Sequence, residues 1–288
     1  MIGRRRRRLA LGAIVLCSLG IPRPAGAWGL EAHRWIAFRA AALTRCRTLV
    51  DGHEREVAGF ALQPDTVLKP RDGAAEEIHH FLDLDAYGTP PFAALPRDES
   101  AALRRHGRAT IERNGVLPWH GARLAHTLAA AIARGDWSDA RRTAGYLAHY
   151  AGDATMPLHA TANYDGQRTG QRGLHQRIEA RLVDDRLPAF TRAASRIGRA
   201  RPIPPEAASS ALFGALAASY DAVGPVLAAD RAARRGTRVG SALYYRRLDA
   251  DLHALLAARL GTAAALTAAL WDGACRDAEP AGSAGVGR

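Results

Sequence analysis

SDARRTAGYLAHYAGDATMPLH, residues 138–159, combines a helical pattern with three side chains that can bind metal. Its apolar residues recur at three-to-four spacing, which predicts a helix, and Pro157 interrupts that helix because proline lacks an N–H and crowds the preceding turn. Residues four apart lie on the same helix face, so His149 and Asp153 can hold one ion together. His159 lies beyond the interruption, and we expect it to reach a neighbouring ion.

The same helical spacing recurs along the chain. Alanine, leucine and arginine dominate, and no run alternates apolar and polar residues as a half-buried strand would. A chain of 288 residues with 48% hydrophobic content can build one sizeable core. We therefore predict an all-α, single-domain multi-helix bundle, with helices over Glu31–Arg45, Gly52–Leu62, Glu99–Asn114, Trp119–Arg134, Ser138–Ala154, Gln171–Arg186, Ser209–Ala228 and Ser241–Leu260.

Residues 1–27 have the pattern of a signal peptide. Arg4–Arg8 form a positive start, an apolar stretch follows over Leu9–Ile21, and small residues precede Trp28. The apolar stretch is shorter than the roughly 20 residues of a spanning helix, and no later segment is predicted to cross a membrane. We expect the chain to be exported and cleaved between Ala27 and Trp28, although the sequence does not decide the export route. The mature protein is predicted to be a secreted or periplasmic monomer.

The charge of the chain is basic. Formal net charge is +12, and six of the 40 basic residues lie in the predicted signal peptide, which has no acidic residue. The mature chain keeps an excess of six positive charges, which mildly favours anionic substrates.

Three cysteines are present, and Cys17 lies within the predicted signal peptide. Cys46 and Cys275 would remain, and in an oxidising compartment they either form one bridge or stay as buried thiols. The predicted domain covers residues 28–275. Residues 276–288, rich in Gly, Ala and Ser, are predicted to be disordered.

Further metal-binding side chains flank the central stretch. His175 and Glu179 are four apart on a predicted helix, and imidazole with carboxylate is a recurrent zinc-binding combination. A single pair of this kind is more often a solvated salt bridge. Upstream lie Asp65 and the neighbours His79 and His80; His80 is the preferred ligand, although the spacing alone does not decide between the two.

The predicted mature N-terminus offers one more ligand group. A free α-amino group at Trp28 has a pKa near 8 in the absence of perturbation, so it can lose its proton and coordinate a metal. The Trp28 carbonyl could close a chelate, and His33 could complete that end of the site. Alternatively, Trp28 is a core aromatic and His33 a surface residue.

Taken together, these residues resemble the zinc-dependent phospholipase C and fungal-type single-strand nuclease superfamily. The resemblance covers about residues 28–180, and its ordered ligand positions are filled by Trp28, His33, Asp65, His80, His149, Asp153, His159, His175 and Glu179. It implies three Zn²⁺ per chain in one cleft. One ion would take Asp65, His80, His149 and Asp153, a second would take His159, His175 and Glu179, and a third would take Trp28, His33 and Asp153.

The resemblance also implies hydrolysis of phosphate esters. Asp153 would bridge two ions, and Asp65 would orient or deprotonate the attacking water, so these two are the predicted catalytic residues. The zinc ions would supply the attacking water and neutralise charge on the phosphate.

The substrate class is divided between two branches. The short interval from Trp28 to His33 resembles the nuclease branch, whereas Glu179 in place of aspartate resembles the phospholipase C branch. The prediction leans to a single-strand nuclease, with phospholipase C as the alternative and a non-catalytic zinc protein as a second alternative. Candidate substrate contacts are Phe81, which either stacks a base or packs in the core, and Asn163 and Tyr164 in a turn between ligand clusters.

Overall fold

The computed structural model describes residues 28–278. The predicted signal peptide and its cleavage site lie outside the described residues, as do residues 279–288 of the predicted tail. The last helix continues through Ala278, three residues into the predicted tail.

The described residues form helices and no strand, which confirms the all-α prediction. Short 3₁₀ turns lie at Leu84–Tyr87, Pro157–Ala160 and Asp184–Arg186, and π-helical turns at Pro64–Leu68 and Arg177–Val183. The α-helices are α1 (Leu30–Leu43), α2 (Arg47–Val50), α3 (Glu54–Phe60), α4 (Lys69–Asp72), α5 (Ala74–Glu77), α6 (Glu99–His106), α7 (Arg108–Arg113), α8 (Leu117–Ala133), α9 (Trp137–Thr155), α10 (Leu174–Gln176), α11 (Leu187–Ala194), α12 (Pro205–Asp221), α13 (Val223–Arg234) and α14 (Ala242–Ala278).

Helix α9 is the central element of the bundle. It packs against α1, α3, α8, α12 and α14, and its C-terminal half is buried on every side. Leu147 and Ala151 belong to one apolar cluster, and Met156 just beyond the helix belongs to a second cluster that includes Trp28. The predicted metal ligands on α9, His149 and Asp153, therefore lie where the two apolar clusters meet.

Several predicted helix boundaries are wrong. The helix predicted over Glu99–Asn114 divides at Gly107, whose φ of +77° a helix does not accommodate. The helix predicted over Ser209–Ala228 is two helices, α12 and α13, which meet at Ala222. The helix predicted over Gln171–Arg186 starts only at Leu174 and widens at once into a π-helical turn.

Cys46 and Cys275 form a disulfide, with their Cα atoms 6.0 Å apart. The bridge joins the segment after α1 to the end of α14, across 229 positions of sequence. Of the two states left open by the sequence, the structure has the bridge.

Two stretches, Pro205–Arg234 and Ala242–Ala278, are long and apolar enough to cross a membrane by length and composition. This is weak evidence, because a core helix passes the same test. The apolar window of Ala242–Ala278 is 72% buried inside the bundle.

Candidate metal centre

Helix α9 presents His149 and Asp153 to the same point in the interior. Both residues are fully buried, and His149 Nε2 lies 3.4 Å from Asp153 Oδ2. His149 Nδ1 lies 2.9 Å from the backbone oxygen of Ala61. If that nitrogen carries the proton, the lone pair of Nε2 faces Asp153, as metal binding requires.

His80 approaches this pair from the chain segment after α5. Its Nδ1 lies 3.0 Å from Asp153 Oδ2 and 3.1 Å from His149 Nε2. Asp65, in the π-helical turn Pro64–Leu68, reaches within 3.9 Å of both imidazoles. His79 points instead to Glu76, so of the two neighbouring histidines it is His80 whose ring faces His149 and Asp153.

A second group forms around His159, beyond the end of α9. The Nδ1 of His159 lies 2.7 Å from the backbone oxygen of His80, and its Nε2 lies 3.0 Å from His175 Nε2. Glu179 Oε1 lies 2.6 Å from His175 Nε2 and 3.4 Å from His159 Nε2. The carboxylate of Asp165 accepts hydrogen bonds from the backbone N–H groups of Gly173 and His175, which fixes the start of α10.

The start of the described chain closes the third side of the site. His33 Nε2 lies 3.3 Å from Asp153 Oδ1, and the His33 ring stacks on His149 with centroids 3.9 Å apart. Trp28 is fully buried and donates its indole N–H to the carbonyl of Gly152, at 2.9 Å. The alternative that His33 is a surface residue is wrong, since its exposure is 0%.

Many polar atoms of this site are buried and, although charged groups lie nearby, make no hydrogen bond of acceptable geometry among the described residues. They are both ring nitrogens of His33, both oxygens of Asp65, Nε2 of His80, Oδ1 of Asp153 and both oxygens of Glu179. Unpaired buried polar groups are costly, and native proteins rarely keep them. Bound cations would satisfy them, and mixed imidazole and carboxylate ligands suit Zn²⁺. The residues therefore fit the predicted metal.

Three sets of ligand atoms lie close enough to hold one ion each, with all atoms of a set within 4.8 Å of one another. Two match the predicted grouping: His80 with His149 and Asp153, and His159 with His175 and Glu179. The remaining set is His33, Asp65 and His149, whereas the resemblance groups His33 with Trp28 and Asp153.

Burial is the main cause of the pKa shifts of three of these side chains. It lowers the pKa of His175 to about 4 and that of His149 well below its usual range, which favours neutral rings with a free lone pair. Burial also raises the pKa of Glu179 to about 8. Burial lowers the pKa of His80 as well, but the nearby carboxylates of Asp153 and Glu76 outweigh it and raise that pKa to about 9.

The three predicted substrate contacts differ in how exposed and how tightly packed their side chains are. Tyr164 is 49% exposed, with its ring centroid 5.7 Å from that of His175. Asn163 is buried, and its side-chain amide bonds Thr169 and the backbone of Arg168 within its own loop. Phe81 is partly buried and packs so closely on Gly115 that a Cβ there would lie 2.7 Å from its ring. All three remain predictions as substrate contacts.

Sequence reasoning missed several residues that support the ligands. Glu76 faces His80, and Asp184 accepts hydrogen bonds from the backbone N–H groups of Glu31 and Ala32 at the start of α1. Gly152 leaves room for His33, whose ring would lie 3.1 Å from a Cβ at that position. Only Glu76 had a usable signal, because it precedes His80 by four residues.

Comparison with known proteins gives limited information. No family model matches the chain, and no curated protein matches it. Among solved structures, the alpha toxin from Clostridium absonum is similar, with 16% identity and a TM-score of 0.46 over 84% of this chain and 63% of that chain. The matched region thus covers less than two thirds of the toxin. At this level of likeness, function is inferred from the side chains of the site.

Proposed function

We propose that the mature protein, beginning at Trp28, is an exported zinc-dependent phosphodiesterase. One observation carries the proposal: three sets of buried or half-buried imidazoles and carboxylates converge, and many of their polar atoms make no hydrogen bond of acceptable geometry among the described residues. Zinc bound there would supply a water activated at neutral pH and positive charge for the phosphate oxygens.

The roles of two carboxylates follow from their surroundings. Asp153 turns Oδ2 toward His80 and His149 and Oδ1 toward His33, as a ligand shared by two ions would. Asp65 has both oxygens free of hydrogen bonds, so one can bind metal while the other orients or deprotonates a water. Tyr164 would contact a substrate at the edge of the site, a role supported by its exposed ring beside His175.

Phospholipid is the substrate class that we place first. Glu179 occupies the last ligand position, as in the phospholipase C branch of the superfamily that the sequence resembles. The aromatic residue that supported a nuclease, Phe81, is packed against Gly115 and is only partly exposed. Single-stranded nucleic acid is the second class, supported by the exposed Tyr164 ring, which could stack a base.

The test uses protein that begins at Trp28 and is loaded with Zn²⁺. It is incubated separately with phosphatidylcholine vesicles, single-stranded DNA, RNA and a chromogenic phosphodiester, with His149→Ala as the matched inactive variant. Release of phosphocholine without nucleic acid cleavage supports phospholipase C activity, and the opposite result supports a nuclease. Three zinc ions per chain with no hydrolysis of any substrate would contradict the enzyme proposal and indicate a zinc-binding protein.

The N-terminal ligand group is tested by metal content. Zinc per chain is counted in protein that starts at Trp28 and in protein with one extra residue before it. We expect close to three ions in the first form and a weakened third site in the second, because the extra peptide bond removes the free amine. Equal binding in the two forms would exclude the Trp28 amine as a ligand.

A further inference from the structure

Glu76 lies behind the metal centre, on the side of His80 that faces away from the other ligands. It belongs to the short helix α5 and is only 5% exposed. One of its oxygens lies 3.1 Å from His79 Nδ1, and the other accepts a hydrogen bond from the hydroxyl of Tyr150. The same second oxygen lies 3.5 Å from His80 Nε2.

His80 turns its two nitrogens in different directions. Nδ1 lies within 3.1 Å of Asp153 and His149, so it faces the proposed ion. Nε2 is buried and has no hydrogen-bond partner within ordinary distance among the described residues, and the Glu76 oxygen at 3.5 Å is an acceptor that could take its proton. A neutral imidazole carries one proton, so a ring that binds metal through Nδ1 must hold its proton on Nε2.

We propose that Glu76 is a positioning residue for the zinc centre: its carboxylate holds the proton of His80 on Nε2 and thereby directs Nδ1 at the metal. This inference rests on the zinc centre proposed above. A carboxylate behind a ligand histidine fixes the orientation and tautomer of the ring and strengthens it as a donor.

The surroundings of Glu76 hold it in place for this role. His79 stacks on His120, with ring centroids 3.8 Å apart, and the edge of Tyr150 packs against both His120 and His80. Tyr150 directly follows His149 on α9, so its hydroxyl links Glu76 to the helix that carries two other ligands. The carboxylate therefore joins the α5 segment to α9 through groups that do not touch the proposed ion.

The test measures zinc binding rather than turnover. Zn²⁺ affinity and stoichiometry are determined by competition with a chromogenic chelator for wild type, Glu76→Ala, Glu76→Gln and Tyr150→Phe. Glu77→Gln is the matched control, because its side chain is 58% exposed on the same short helix. Circular dichroism and melting temperature show whether each variant is folded.

We expect Glu76→Ala to lower the affinity for the zinc ion that His80 binds by about 10- to 100-fold. The zinc affinity of the His159–His175–Glu179 group should stay unchanged. Glu76→Gln retains an oxygen acceptor, so its zinc affinity should fall less. Tyr150→Phe should lower the zinc affinity by a still smaller factor, and Glu77→Gln should leave it unchanged. In zinc-loaded wild type, ¹⁵N chemical shifts of the His80 ring should report metal on Nδ1 and a proton on Nε2. A purely structural Glu76 would lower the melting temperature without moving zinc affinity.

Two results would overturn the inference: wild-type zinc affinity in folded Glu76→Ala, or metal on Nε2 of His80. Either result leaves the proposed hydrolase intact, because substrate cleavage is measured separately. Conversely, a wild type that binds zinc and cleaves no substrate refutes the hydrolase and leaves the role of Glu76 standing. A wild type that binds no zinc refutes both.

Discussion

Asp153 and Asp230 are both fully buried carboxylates, but their surroundings differ. Asp230 faces the guanidinium groups of Arg177 and Arg234, at 3.3 and 2.6 Å, and accepts a hydrogen bond from the amide of Gln171 at 2.7 Å. Asp153 faces only imidazoles, and its Oδ1 has no hydrogen-bond partner among the described residues.

The difference in neighbours indicates which of the two buried carboxylates stabilises the fold and which is suited to binding a cation. Arginine is cationic at every physiological pH, so the Asp230 cluster is neutralised by the chain itself. Burial favours the neutral form of His149, and His80, whose pKa is raised, supplies at most one positive charge, so the carboxylates of Asp153 and Asp65 together need cations from outside for the same compensation. We expect removal of the first carboxylate to affect folding and removal of the second to affect metal binding.

The largest effect is expected from Asp153→Asn. The substitution removes the charge that faces His33 on one side and His80 and His149 on the other, so at least one zinc ion should be lost. Hydrolysis should fall by at least about a thousand-fold, which corresponds to about 4 kcal/mol of transition-state stabilisation. Zinc per chain and the rate with the chromogenic phosphodiester measure the two losses.

Asp139→Asn is the control for that substitution, because Asp139 lies near the start of the same helix and pairs only with Arg134 and Arg142 at the surface. It should bind zinc and turn over like the wild type. Full zinc content and normal turnover in Asp153→Asn would remove the basis of the comparison with Asp230.

Asp230→Asn should give the next largest effect, on stability. Breaking a buried ion pair from one side leaves the arginines uncompensated, and about 3 kcal/mol is expected because asparagine still accepts a hydrogen bond. For a chain of this size the melting temperature should fall by roughly 6–12 °C. Zinc content measured well below that temperature should stay near wild type. Loss of zinc without loss of stability would reverse the roles assigned to the two carboxylates.

The sequence predicted the Asp153 cluster better than the Asp230 cluster, for a physical reason. Side chains that could bind one ion from the same helix are recognisable by their four-residue spacing, as His149 and Asp153 are. Asp230 has one partner at the same spacing, Arg234, but its other partners, Gln171, Arg177 and Tyr244, come from distant segments that no local periodicity connects. The choice of His80 over His79 likewise depended on the backbone after α5, which spacing does not determine.

The helix boundaries also divide into those that depend on local sequence and those that depend on packing against distant segments. Gly107 ends a helix through its own φ, a local effect. Helix α14, predicted to end at Leu260, continues through Gly261 and Gly273 because other segments pack on those glycines. A Cβ at Gly261 would lie 2.5 Å from the backbone oxygen of Ala194, and one at Gly273 would collide with the backbone of Ile203. These glycines mark close approach of another segment rather than the end of a helix.

The smallest effect is expected at a third carboxylate, Asp83, which has neither an imidazole cage nor a buried arginine. Burial, and then the neighbouring charge of Asp85, raise its pKa to about 7, only partly opposed by Arg168. The folded state therefore binds this proton more tightly than the unfolded state, whose Asp pKa is near 4. The contribution of Asp83 to stability is most favourable below about pH 4 and is lost as pH rises through 7.

Asp83→Asn keeps the shape of the side chain and removes the titration. Relative to wild type, its melting temperature should rise by a few degrees at pH 8, equivalent to about 1 kcal/mol, and should change little at pH 4. Chelator-treated protein is used, so that metal release does not contribute to the pH dependence. Asp185→Asn is the control, since that carboxylate is 57% exposed and should show no difference between the two pH values. Greater stabilisation at pH 4 than at pH 8 would mean that Asp83 is compensated by the chain, as Asp230 is.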